Sequence, residues 1–236
     1  MNIALIIAGG SGQRMKQDIP KQFLNVKDRP VIIYTLEAFQ RHPNIDAIEV
    51  VCIDGWHEIL AAYCKQFQIT KLENIVSGGN NGQSSIRNGI EDIAKRHGDD
   101  DLVLIHDAIR PMVSQEIISD CIQVARANGN AISVVPCTAA MLYTQDEVTS
   151  DKVISRDNLK ITQTPQASTL GKLKWAHQEA LKRGITESVA TCTMFVELGE
   201  TLYFSLGSEK NVKITTAEDL DIFKALLGTK KAEWMH

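Results

Sequence analysis

The chain has 236 residues, of which 44% are hydrophobic and 23% charged, an ordinary globular balance with room for one sizeable domain and one core. Its 25 Lys and Arg against 29 Asp and Glu give a formal charge of -4, which offers no broad attraction for nucleic acid or an acidic membrane surface, so any phosphate binding must be local. The 5 cysteines are odd in number and include no CxxC pair, which argues against a structural zinc or a redox dithiol and points to reduced thiols in a cytosol.

The first apolar run, IALIIA (3–8), has no basic segment before it and is too short for a signal sequence or a membrane span, so a soluble cytoplasmic protein is expected. Further apolar runs follow at AIEVVCI (47–53), LVLIHDA (102–108) and AISVVPC (131–137). Between them, VIIYTLEAF (31–39), SIRNGIEDIAKR (85–96) and SQEIISDCIQVARA (114–127) repeat apolar residues at steps of three and four. This alternation predicts an α/β fold with a buried parallel sheet and crossover helices on both faces.

After Pro136 the segment 140–166 alternates polar and apolar residues around an acidic turn, which reads as an extended hairpin leaving the sheet. We assign residues 138–163 to such an arm. LGKLKWAHQEALKRG (170–184) is predicted as a helix and ETLYFSLG (200–207) as a strand. Thr215 and Glu218 suggest a capping box ahead of a helix through Leu220, Phe223 and Leu227, and the final KKAEWMH is expected to fray. With no internal repeat and no low-complexity linker, residues 1–236 are expected to form a single domain.

The first strand runs into AGGSGQRM, where glycines permit close approach and consecutive backbone N–H groups can face an anion. Counting from Gly10 gives Gly12 and then Met15, so the dinucleotide fingerprint fails and an NAD-dependent oxidoreductase is disfavoured. The P-loop form fails too, for want of G-K-[ST]. Arg14 and Lys21 remain as two cations able to grip a triphosphate, with Pro20 fixing the backbone before Lys21. Taken alone, the same residues also suit a plain strand-to-helix turn with solvated cations.

Read together, AGGSGQRM…PKQF, SGGNNGQSSIRNG, IHDAIRP, QTPQ and NVKITTAEDL resemble, in order and spacing, the cytidylyltransferases that join CTP to a small polyol phosphate. The likeness runs from Ile3 to about Leu227 and touches two branches, acting on ribitol 5-phosphate and on 2-C-methyl-D-erythritol 4-phosphate. It implies a Rossmann-like nucleotidyltransferase fold, a β-arm that joins two subunits into a homodimer, a Mg²⁺ requirement, and attack of the acceptor phosphate on the α-phosphorus of CTP. Such a transfer needs positioning and charge neutralisation more than covalent help.

The resemblance carries roles onto matching positions. Ala8, Gly9, Gly10 and Gly12 would cradle the triphosphate, with Arg14, Lys21 and Lys213 as catalytic cations. Gly78, Gly79, Asn80 and Ser85 would hold cytosine and ribose, although Ser84 or Ser85 reads equally well as a helix N-cap. Asp107 would face Mg²⁺ or substrate hydroxyls, and Arg110, Arg156 and Thr164 would bind the acceptor. An ion pair between Asp107 and Arg110 is the structural alternative, an exposed hairpin arginine is commonly a solubility device, and His106 reads as a packing residue.

The pattern departs from the family on the acceptor side. Gly82 stands where the family has an arginine, Ala139-Ala140 replaces an Asp-Thr pair, and Ala190 or Thr191 stands for a further Asp. These losses imply retained CTP chemistry with altered acceptor recognition. AGG at the loop, DRP at 28–30 and the spacing from Cys192 to Lys213 favour the ribitol-phosphate branch. The competing readings are the methylerythritol-phosphate branch and a non-catalytic CTP-binding relative.

Overall fold

The computed structural model describes residues 1–10 and 19–228. Its first half contains β1 (Asn2–Ala8), the short pair β2 (Asn25–Val26) and β3 (Arg29–Pro30), α1 (Val31–Arg41), β4 (Ala47–Cys52), α2 (His57–Gln66), β5 (Leu72–Ser77), α3 (Gly82–Ile93) and β6 (Leu102–Asp107). The second half adds α4 (Gln115–Asn128), β7 (Asn130–Pro136), β8 (Met141–Tyr143), β9 (Lys152–Ile154), β10 (Lys160–Thr169), α5 (Leu170–Lys182), α6 (Thr191–Glu197), β11 (Phe204–Leu206) and α7 (Ala217–Gly228).

Seven strands build one sheet in the order β11-β7-β10-β6-β1-β4-β5. β1 shows why both faces are covered. Ala4, Ile6 and Ala8 enter one apolar cluster with Leu36, Phe39 and Ile118, while Ile3 and Leu5 enter a second with Ile90, Leu173 and Phe195. Each large side chain buried this way is worth roughly 1.5–3 kcal/mol. Helices α1 and α4 therefore pack on one face, and α3, α5 and α6 on the other.

The expected parallel sheet is interrupted at one place. β10 lies between β6 and β7 and is antiparallel to both, with Gln166 opposite Ile105 on one side and Ile132 on the other. The chain leaves β7 by a hairpin-like excursion, so its return must run antiparallel to β7 and to the strands parallel with β7. Between the two, β8 and β9 form a separate two-stranded sheet whose Leu142 and Val153 are exposed. The sequence reading did not identify α2 or β5: α2 buries only Leu60 and Cys64, and β5 is a half-buried edge strand.

Two caps differ from expectation. Helix α3 starts three residues before Ser85, because Asn81 Oδ1 accepts from the Ser84 N–H at 2.8 Å and Ser84 Oγ accepts from the Asn81 N–H at 3.0 Å. Helix α7 is capped by Thr216 with Asp219, not by Thr215 with Glu218. The Asp219 carboxylate accepts from the Thr215 N–H, the Thr215 hydroxyl and the Thr216 N–H together, which exposed Glu218 does not.

Inside α5, His177 is 3% exposed, and neither ring nitrogen has a hydrogen-bond partner among the described residues. Burial, helped by the Arg87 charge, pushes its pKa down to about 4. The unfolded chain binds this proton below about pH 6.5, so the stabilisation is present above that pH and is lost as pH falls towards 4. His177→Met is expected to remove the dependence. Its stability relative to wild type should rise by up to about 1.4 kcal/mol per pH unit on acidification through this window, read from urea melts; parallel pH profiles would contradict the assignment.

Candidate active site

The sheet order reverses beside β1: β4 and β5 extend to one side, and β6 begins the other. In open α/β sheets the carboxyl ends of strands at such a switch point frame a ligand crevice. A cleft of about 700 Å³ lies there, lined by the residues that follow β1, β5 and β6. That volume suits a nucleotide-sized ligand.

One wall of the cleft is backbone. A Cβ on Gly9 would sit 3.3 Å from Ser85 Oγ and 3.5 Å from the Gly78 Cα, so the two glycine loops lie in near contact. Ser85, in the first turn of α3, is 4% exposed, and its Oγ accepts from the Gly79 N–H at 3.0 Å. Ala8, Gly9, Gly10, Gly79, Asn80 and Ser85 all line the cleft, as does Gly82. Side chains here would fill the floor on which a flat ring could lie.

The PKQF stretch makes a single tight turn. Pro20 has φ -58°, and its carbonyl accepts from the Phe23 N–H at 2.8 Å. Phe23 stacks on Trp56 with ring centroids 4.4 Å apart, anchoring the turn in the core. Gln22 is 1% exposed and donates to the carbonyls of Ala8 at 2.7 Å and Gly10 at 3.1 Å. Lys21 lines the cleft.

The opposite wall carries charge. Asp107 ends β6 and meets Arg110 Nε at 3.0 Å and Lys213 Nζ at 3.2 Å. Burial alone would raise the Asp107 pKa, but Lys213 and Arg110 outweigh it and hold the carboxyl below the usual range, so it is ionised at neutral pH. Lys213 comes from a distant segment, docked where Arg110 Nη1 donates to the Asn211 carbonyl at 2.8 Å and the Ile214 N–H to the Ile109 carbonyl at 2.9 Å.

His106, with 0% exposure, supports this wall from behind. Its Nε2 lies 3.1 Å from the Arg110 carbonyl, which can only accept, so Nε2 carries the proton and Nδ1 accepts from the Thr164 hydroxyl at 3.0 Å. Burial pushes the ring pKa down to about 4, in keeping with a neutral imidazole. Thr164 Oγ1 in turn accepts from the Asp107 N–H at 3.1 Å. Thr164 lines the cleft, but its proton is already committed to His106.

The structure thus gathers Lys21, Asp107, Arg110, Thr164 and Lys213 with the glycine loops in one cleft. Gly12 and Arg14 lie outside the described residues. Arg156 does not line the cleft of its own chain; it sits exposed on the turn between β9 and β10 and donates to the Thr138 carbonyl. Ala190 and Thr191 line the cleft at the start of α6, whereas Ala139 and Ala140 do not. Polar lining residues given no role by the sequence include Asp54, Gln22, Gln163 and Gln166. Asp54 had a usable signal, since it follows β4 at the same carboxyl edge; the glutamines lie inside the PKQF and QTPQ motifs, but their residue type alone does not tell them from surface polar residues.

The doubly covered, mostly parallel sheet with its cleft at the switch point defines a Rossmann-like nucleotidyltransferase fold. It superimposes with a TM-score of 0.81 on a crystal structure of 4-diphosphocytidyl-2C-methyl-D-erythritol synthase from Anaerococcus prevotii, at 25% identity and covering 96% of this chain and 98% of that one. The chain belongs to the IspD family, described as 2-C-methyl-D-erythritol 4-phosphate cytidylyltransferase, whose model matches residues 2–229. It is 43% identical over 233 residues to a ribitol-5-phosphate cytidylyltransferase of Lacticaseibacillus paracasei, covering 98% of this chain and 100% of that protein. A ribitol-5-phosphate cytidylyltransferase of Vibrio parahaemolyticus is 37% identical, covering 98% of both. No helix among the described residues is long and apolar enough to cross a membrane.

Proposed function

We propose that this protein is a cytidylyltransferase that moves CMP from CTP to ribitol 5-phosphate, forming CDP-ribitol and pyrophosphate. The observation that carries the reading is the single cleft in which a backbone glycine wall faces Asp107, Arg110 and Lys213, with Lys21 at the loop. A phosphate oxygen of the acceptor attacks the α-phosphorus of CTP, and the bond from that phosphorus to the oxygen bridging to the β-phosphate breaks. Pyrophosphate departs with the electron pair.

Each residue has a physical task in this transfer. The Gly9, Gly78 and Gly79 backbone lets the nucleotide approach closely, and fixed peptide groups discriminate the base by hydrogen bonding. Lys21, with Arg14, offsets charge that grows on the α-phosphate and the leaving pyrophosphate. Lys213 and Arg110 hold the acceptor phosphate, aligned by Asp107.

The donor set also suits Mg²⁺. Asp107 and Asp54 are hard oxygen donors at the cleft, and Asp107 is ionised at neutral pH. No group of three His, Cys, Asp or Glu residues able to hold a metal occurs among the described residues. One or two carboxylates completed by substrate phosphates is the usual setting for Mg²⁺, which when bound neutralises triphosphate charge.

Ribitol 5-phosphate as acceptor is supported by the identities of 43% and 37% to ribitol-5-phosphate cytidylyltransferases. The family description keeps 2-C-methyl-D-erythritol 4-phosphate as the second acceptor. Exposed Leu142, Tyr143 and Val153 on the β8–β9 hairpin support pairing with a second copy, which would give Arg156 a cleft to serve. A cytoplasmic location suits the five free cysteines, all buried. Pyrophosphate release with CTP, Mg²⁺ and a panel of alditol phosphates, with products weighed by mass spectrometry, tests the function. CDP-ribitol is the expected major product; CTP binding without product from any acceptor would leave a CTP-binding relative.

A further inference from the structure

We infer that Gln22 is a positioning residue for the triphosphate, acting through the backbone of the glycine loop. The inference rests on the reading of the cleft as a CTP site. A glycine-rich loop can bind an anion only if its peptide groups turn their N–H ends outward. Glycine's wide conformational freedom also allows the opposite arrangement, in which carbonyl oxygens face the ligand. Something other than the glycines must set the choice.

Gln22 supplies it. Its carboxamide has two N–H donors, and the acceptors that engage it are two backbone carbonyls of the loop, Ala8 at 2.7 Å and Gly10 at 3.1 Å. Ala8's carbonyl also accepts from the Ile53 N–H at 3.2 Å, so that peptide is held towards β4 and Gln22 together. A trans peptide places its N–H opposite its C=O, so the Gly9 N–H is turned away from both, and Gly9 itself lines the cleft. At 1% exposure the clasp is shielded from competing water.

The neighbours of Gln22 in the same turn make the clasp consequential. Phe23 is locked by its stack on Trp56, and Lys21 lines the cleft. With Gln22 holding the loop between them, the position of the Lys21 backbone relative to the Gly9 amide is set before any ligand arrives. A preorganised arrangement of this kind binds phosphate without first ordering a flexible loop.

The test uses the full chain as wild type, Gln22→Met and Gln22→Asn. Met matches the shape of Gln without its donors, and Asn retains the donors one methylene shorter. CTP affinity is measured by titration calorimetry with Mg²⁺, and kinetics are taken varying CTP and ribitol 5-phosphate separately, well below the melting temperature of each variant. Gln22→Met is expected to raise the Kd and KM for CTP at least tenfold and to lower kcat, with the acceptor KM within twofold of wild type. Gln22→Asn is expected to show the same selectivity at a smaller magnitude, and it carries the test if the Met variant does not fold.

A purely structural glutamine would lower the melting temperature and the active fraction while leaving both KM values unchanged. That outcome, or a folded variant whose CTP Kd stays within twofold of wild type, overturns the inference. Failure of the wild-type protein itself to bind CTP is a separate result that overturns the reading of the site.

Discussion

Asp107→Asn is expected to lower kcat by about a hundred- to a thousandfold, the range seen when one preorganised electrostatic group is removed from a transfer site. The carboxylate holds two cations at once, Arg110 at 3.0 Å and Lys213 at 3.2 Å, and it is the acidic group in the cleft whose ionisation those cations secure. An amide keeps the shape and one acceptor oxygen but loses the charge. Both cations would then be free to shift, and the hard anionic donor offered to Mg²⁺ would be gone. Because Arg110 still donates to the Asn211 carbonyl, the fold should survive with a loss of about 1.5–3 kcal/mol, the range for a charged hydrogen bond. Steady-state rates across a Mg²⁺ titration, paired with thermal melts, check this. Turnover within threefold of wild type at ordinary Mg²⁺ would remove Asp107 from the mechanism.

Lys21→Ala should collapse turnover to a similar degree, about a hundredfold or more, with the melting temperature nearly unchanged. The turn that carries Lys21 owes its shape to other residues: Pro20 at φ -58°, the Gln22 clasp and the Phe23–Trp56 stack. Truncating Lys21 therefore subtracts a charge without dismantling its support. Lys21→Arg is expected to recover only part of the loss, since a planar guanidinium cannot occupy the position of a compact ammonium. Near-normal rates in the alanine variant, measured by pyrophosphate release at saturating CTP, would withdraw the catalytic assignment.

The sequence alone was sufficient wherever the physics is local. Ile3–Ala8 and Leu102–Ile105 read as buried strands because their residues are apolar on both faces, and α1 and α4 were legible from apolar spacing of three and four. The glycine turn with Lys21 announced anion chemistry for the same reason: the conformational freedom of glycine and the charge of lysine belong to the residues themselves.

Tertiary structure decided whatever depends on which distant segments meet. β10 enters the sheet antiparallel because the chain leaves β7 and must come back, a constraint of connection that no local pattern encodes. Thr164, which lines the cleft, also links His106 to Asp107, and Gln22 ties across the glycine loop. Lys213 reaches Asp107 across 106 positions of chain, and Ala8, Gly9 and Gly10 share one cleft with Lys21. Charge pairing and hydrogen bonding act over a few ångströms of space and take no account of distance along the chain, so these partners became identifiable only once the strands had set their places.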